Sequence, residues 1–260
     1  MTMNHQPTNK ETPMNETVSF EDRVRQHYPK AVTMSTFREK IRDVLANGHS
    51  IDLAKVLLAT SLCADDIVAV RGPEVPSHKT KLKHDFLGPF SMGGLAGLPY
   101  SGLTGMSTIG HHIPEKGSVL IAYGPHIGIS DQGEPGKLLR PGQRCESSAC
   151  GALTLALKHF QSSPGYQPAY DDDDTELMTL ERRLLPFRGH ILTADNPLKA
   201  ATDCAYNIIH GLIGRYLRSQ KKVFECEYIA LVGGIIINTG YQHDDYIDLR
   251  HLSVRRAQEL

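Results

Sequence analysis

The sequence carries no excess of basic charge: 28 Lys and Arg stand against 29 Asp and Glu in 260 residues, a formal net charge of -1. Phosphate-binding surfaces ordinarily need a clear positive excess, so nucleic acid is not an expected partner. Cysteine is scarce and odd in number, five in all. At least one thiol is therefore unpaired within a monomer, and a chain of this length needs no disulfide framework, which points to a reducing compartment. Long apolar runs are also missing. The longest candidate, Tyr228 to Ile237, contains Gly233 and Gly234 and is too short to span a bilayer as a helix. The opening MTMNHQPTNKETPMNET is polar, without the apolar stretch of a secretory signal. The expected protein is cytoplasmic, or organellar if a presequence has been removed, with no membrane insertion.

What is present is an ordinary globular composition, 40% hydrophobic and 22% charged, enough to bury a core without staples. Residues 1 to 17 read as a flexible tail and 18 to 260 as a single α/β domain. From Val18 to Asn47 the pattern is helical, with Thr36 and Glu39 placed as a capping box and Phe37, Ile41, Val44 and Leu45 on one stripe. Val56 to Leu62 is a continuous apolar run that suits a strand buried on both faces, and it ends at the polar cluster Cys63-Ala64-Asp65-Asp66. Residues 88 to 128 hold 10 of the 23 glycines, which suits backbone wrapped closely around a site. Within that stretch Val119 to Tyr123 reads as a strand and Gly124-Pro125-His126 as a sharp turn. A helix is expected over Cys150 to Phe160 with Ser147 or Ser148 as its cap, another over Glu176 to Leu185, and a long one opening at Asn196-Pro197. Tyr228 to Thr239 and Tyr246 to Val254 read as closing strands. Strands separated by helices favour a central, mainly parallel sheet flanked by helices.

Three groups able to bind metal stand at structural punctuation points: Cys63 and His126 at strand ends, and Cys150 at a helix start. Two thiolates and one imidazole, with a fourth position left for water, form a recognised catalytic zinc set. A helix N-terminus favours the thiolate that binding requires. Cys145 competes with Cys150, lying 19 rather than 24 residues after His126. Cys204 and Cys226 read as packing. His111 and His112 are candidate proton carriers, since an unperturbed histidine titrates near neutral pH. Asp65 is placed to orient or to block a fourth ligand.

Taken together, SLCADD at 61 to 66, PFSMGGLAGLPYSGLTG at 89 to 105, HHIP at 111 to 114, YGPHIGI at 123 to 129 and SSACGA at 147 to 152 resemble the limiting-CO2-inducible B/C proteins, also called theta-class carbonic anhydrases. The resemblance covers roughly residues 30 to 255, and it implies a fold and site similar to the beta-class carbonic anhydrases. It also implies one Zn²⁺ per chain held by Cys63, His126 and Cys150, CO2 and bicarbonate as substrates, and a homodimer. Asp65 matches the aspartate that accepts a hydrogen bond from the nucleophile. The arginine that beta-class enzymes place four residues after the first Cys is absent, and Ile67 stands there. Arg71 is the nearest downstream guanidinium and the expected partner of Asp65, with Arg140 and Arg144 as alternatives. His112, or His111, is the expected proton carrier. Leu95, Leu98 and Leu103 are candidate walls of a CO2 pocket. Two competing readings keep the residues but change the chemistry: a zinc-binding assembly or regulatory subunit of the same fold, and a metal-free cysteine enzyme using Cys63 or Cys150 with His126.

Overall fold

The computed structural model describes residues 18–69, 85–140 and 142–260; the expected tail falls outside them. The helical pattern at the start of the described chain divides in two. Helix α1, Phe20–His27, is capped by Ser19, whose hydroxyl accepts from the Asp22 amide at 3.1 Å. It ends because Pro29 follows Tyr28, and a residue before proline is pushed out of the helical region; Tyr28 has φ -134° and ψ 79°. After a two-residue strand β1, Val32–Thr33, helix α2 runs over Met34–Asp43. Thr33 is its cap and accepts from the Thr36 amide at 3.3 Å. Thr36, expected as the cap, is instead the donor inside the first turn, because the short strand brings the helix start forward.

The main sheet contains β1, β2 (Val56–Ser61), β3 (Leu87–Ser91), β4 (Ser118–Tyr123), β5 (His126–Gly128), β8 (Tyr228–Asn238) and β9 (Tyr246–Arg256), in the order β1-β9-β8-β4-β2-β3 with β5 also on β8. The pairs β2/β3, β2/β4, β4/β8 and β5/β8 are parallel, whereas β8/β9 and β1/β9 are antiparallel. A mainly parallel sheet is therefore found, extended at one side by the closing hairpin. Two further short strands, β6 (Lys137–Leu138) and β7 (Ser147–Ser148), form a separate antiparallel ribbon. The remaining helices are α3 (Asp66–Ala69), α4 (Gly102–His112), α5 (Gly151–Ser162), α6 (Thr175–Leu184), α7 (Arg188–Thr193) and α8 (Pro197–Ser219). Helix α8 starts where Asn196-Pro197 predicts, with the Asn196 side chain accepting from the Lys199 amide at 2.8 Å.

Alternation along the strands divides the core. Val119 and Ile121 of β4 join Leu57 and Ala59 of β2 against α4, α5 and α8, while Leu120 and Ala122 join Leu58 against Met34, Phe37 and Ile41 of α2. Strands covered on both faces must be apolar throughout, and this is why β2 and β4 read as unbroken hydrophobic runs. Helix α2, with Leu45, Ile51 and Phe86, packs on the second face and leaves a cavity of about 320 Å³ lined mainly by apolar groups, among them Met34, Phe37, Leu58, Val232 and Ile236, that reaches Cys63 and Ala64. Among the described residues no helix is long and apolar enough to cross a membrane.

Candidate metal centre

Beyond the ends of β2 and β4 the chain must pass very close to its neighbours. A Cβ on Gly93 would stand 2.3 Å from the Leu62 carbonyl oxygen, and one on Gly124 would stand 1.7 Å from that of Gly234, with φ +149° at Gly124. Only glycine fits either position. These contacts hold the loop after β2, the glycine-rich turn and β8 against one another. The Ala64 amide donates to the Gly94 carbonyl at 3.2 Å, fixing the segment that carries Cys63. Gly124-Pro125 turns the chain into β5, where His126 pairs with Ile236.

Cys150 occupies the cap position of α5. It displaces Ser147 and Ser148, the expected caps, because those residues are drawn into the β6/β7 ribbon. The Gly128 amide donates to the Ala149 carbonyl at 2.9 Å and ties β5 to this segment. The sheet thus delivers three groups from distant parts of the chain to one point. The ligating atoms of Cys63, His126 and Cys150 all lie within 4.8 Å of one another, and all three residues are buried. The two sulfurs are 3.7 Å apart. Two thiolates bound at ~2.3 Å to one tetrahedral zinc would be separated by about 3.8 Å, so the spacing suits that ion.

The electrostatics agree with this donor set. The hydrogen bond from Cys150 holds the Cys63 thiol down to about 4, against the opposing effect of burial, with His126 helping. The same bond, followed by burial, raises Cys150. The amides of Ala152 and Leu153 at the start of α5 work against the rise at Cys150. Burial alone would lower His126, but the adjacent Cys63 sulfur, the charge of Asp65 and the bond to Asn238 raise it on balance. His126 Nε2 is buried and has no hydrogen-bonded partner of normal geometry among the described residues. A buried ring nitrogen without a hydrogen-bond partner beside two sulfurs is what a metal ligand looks like without its ion.

Asp65 sits at the rim. Its Oδ2 is 3.7 Å from His126 Nε2, and its Oδ1 accepts from the Ile67 amide at 3.1 Å at the start of α3. Arg140 Nη2 donates to both carboxylate oxygens, at 2.8 Å and 3.1 Å. Nη1 of the same guanidinium donates to Ser147 Oγ and, at 3.0 Å, to the Ser148 carbonyl, and Ser147 Oγ donates to Gln143 Oε1 at 2.8 Å. Of the arginines considered, Arg140 makes the contact. Arg71, the expected partner, lies outside the described residues, and Arg144 is exposed. Cys145, the rival thiol, is also exposed, while Cys204 is buried within α8. His112 stands at the end of α4, exposed and edge-on to Phe90 with ring centroids 5.5 Å apart. The crossover helix α4 runs against the parallel strands, so its last turn lies towards their starts, whereas Cys63 and His126 follow strand ends. Leu98 is buried in the helix-side core and Leu103 is exposed; with Leu95 they are absent from the lining of the cavity that reaches Cys63. Asn238, which the sequence reading did not single out, is the hydrogen-bond partner of His126 Nδ1 at 2.8 Å.

Residues 31–256 match the family described as "Limiting CO2-inducible proteins B/C beta carbonyic anhydrases". The chain belongs to this family. Among solved structures, this limiting-CO2-inducible B/C protein is similar to PtLCIB4, described as a homolog of the limiting CO2-inducible protein LCIB, with 29% identity, a TM-score of 0.79 and coverage of 90% of this chain and 95% of that one. A point mutant of PtLCIB4 matches at 28% identity and a TM-score of 0.74, covering 92% and 96%. LCIB itself shares the fold at 21% identity and a TM-score of 0.65, over 88% and 92%. No curated protein sequence matches the chain.

Proposed function

We propose that this protein is a zinc-dependent carbonic anhydrase that interconverts CO2 and bicarbonate. The observation that carries the proposal is the unpaired Nε2 of buried His126 beside the sulfurs of Cys63 and Cys150, with a carboxylate oxygen of Asp65 3.7 Å away. Cys63, His126 and Cys150 would hold the zinc, which supplies a water acidified to a pKa near 7 and hence a nucleophile at neutral pH. Asp65, at the rim of the three ligands, would serve as the hydrogen-bond acceptor that orients the attacking group. Arg140 holds Asp65 in that role and keeps its carboxylate from swinging onto the metal. An uncharged, apolar gas suits the apolar cavity that ends at Cys63, and it needs no charged surface to attract it, in line with the net charge of -1.

The closeness of Asp65 to His126 supports a second reading, in which Asp65 itself takes the fourth position and the protein binds zinc as a weakly active or inactive assembly subunit. Stopped-flow CO2 hydration on protein shown to contain zinc separates the two. Hydration above the buffer rate between about pH 7 and 9, lost on removal of zinc, supports the enzyme; its absence at full zinc occupancy supports the subunit. The homodimer that the family resemblance implies, and the reducing cytoplasmic or organellar setting that the composition suggests, complete the proposal, and light scattering and fractionation would check them.

A further inference from the structure

Asn238 ends β8 and is fully buried. The Ile129 amide donates to its carbonyl oxygen at 2.9 Å, and the parallel register places Asn238 opposite Gly128, two residues along β5 from His126. Its side chain approaches the imidazole from the side away from the thiols, with Oδ1 2.8 Å from Nδ1. Its Nδ2 has no partner among the described residues.

A neutral imidazole carries its proton on either nitrogen, and only the Nδ1-protonated form presents a lone pair at Nε2. The amide of Asn238 leaves one polar atom unpaired whichever way it is turned, so hydrogen-bond satisfaction does not choose its orientation. The site's chemistry does. With Nδ2 facing the ring, Nδ1 would have to accept, the proton would move to Nε2, and the nitrogen beside the sulfurs could bind nothing. With Oδ1 facing the ring, Nδ1–H donates and Nε2 is free.

We propose that Asn238 is a positioning residue that fixes the tautomer and ring plane of His126 for metal capture. This rests on the metal-centre reading given above. A neutral acceptor also suits the charge balance: two thiolates offset a dication, and Asp65 is matched by Arg140, so the amide adds no unbalanced charge to the interior.

The test compares the full chain with Asn238→Leu, which keeps the volume and removes the acceptor, and Asn238→Asp, which restores an acceptor. Zinc affinity is measured by competition with a chromophoric chelator, and histidine nitrogen NMR is recorded on the zinc-loaded proteins. Loss of the acceptor is expected to weaken zinc binding about 10- to 100-fold, with Asn238→Asp recovering most of it. The wild-type spectrum is expected to show a proton on Nδ1 of His126 and the metal on Nε2. Equal zinc affinity in Asn238→Leu and wild type would overturn the inference. So would a wild-type spectrum with the proton on Nε2, a result that needs no folded variant. A wild-type chain that takes up no zinc would bring down the metal-centre reading and this inference together, whereas zinc binding indifferent to position 238 brings down the inference alone.

Discussion

Arg140 reaches across 75 residues of sequence to place Nη2 2.8 Å from one carboxylate oxygen of Asp65 and 3.1 Å from the other. Both side chains are only 13% exposed, so the pair is shielded enough for its geometry to matter. The guanidinium is itself held by Ser147 and by the Ser148 carbonyl, within the strand that leads to Cys150. The segments flanking one ribbon therefore carry both the Cys150 thiol and the guanidinium paired with Asp65.

If Arg140 acts through Asp65, Arg140→Ala should leave zinc content unchanged and lower CO2 hydration by about 10- to 100-fold, as loss of an orienting partner does. Asp65→Ala should do the same. The double variant should be little worse than either single one, because the two residues form a unit. Stopped-flow rates on zinc-quantified protein check this. Additive losses would mean that Arg140 acts on something other than Asp65.

The metal set makes a sharper division among the cysteines. Cys63→Ser, Cys150→Ser and His126→Ala should each lower bound zinc well below one per chain, while Cys145→Ser and Cys204→Ala should retain it. Removing zinc from the wild type with a chelator should also lower the thermal midpoint, since an ion bound only by the folded state adds its binding free energy to stability. Elemental analysis and a thermal melt with and without chelator are the measurements. A Cys145→Ser variant that lost its zinc would overturn the assignment of Cys150.

Much of this was legible in the sequence because it is local or periodic. The strands β2 and β4 announced themselves as unbroken apolar runs, and Asn196-Pro197 set the start of α8 through its own cap. Cys63, His126 and Cys150 stood out because each lies where a periodic segment stops or starts. The residue offered only as an alternative, Arg140, and the one that was missed, Asn238, both act across the fold. Arg140 lies in a loop with no periodicity, and nothing in its neighbourhood along the chain points at Asp65. Asn238 closes a hydrophobic strand and reads as its terminator. Its contact with His126 depends on the β5/β8 register, which pairing across more than a hundred residues sets. The cavity beside Cys63 was not legible for the same reason: α2 and the far face of the sheet, brought together only by the fold, form most of its lining.

Gly124 offers a test of the close packing behind the site. An alanine there would put Cβ 1.7 Å from the Gly234 carbonyl oxygen and would have to hold φ +149°. Neither backbone can yield without moving β8 or the turn into β5. Gly124→Ala should cost about 2–4 kcal/mol, in the range of severe backbone strain and overpacking. Gly211→Ala is the control, since an added Cβ there meets nothing within 4 Å and alanine favours a helix. Urea unfolding of the two variants reads the difference, and equal midpoints would show that the turn relaxes freely.

Stability at high pH should fall for an identifiable reason. Burial raises the Cys226 thiol to about 11, and burial followed by the hydrogen bond to Glu181 raises the Tyr166 hydroxyl to about 12. In both cases the folded state prefers the neutral form more than the unfolded chain does. Their contribution is therefore complete below the ordinary values of 9.0 and 10.0 and is lost as pH rises through about 11 and about 12. Cys226→Ala should flatten the decline in the urea midpoint between about pH 9 and 11, and Tyr166→Phe the decline between about pH 10 and 12. Both comparisons are made against wild type, so ionisations elsewhere in the chain cancel. A Cys226→Ala curve parallel to wild type over the lower window would show that this thiol ionises as readily in the fold as out of it.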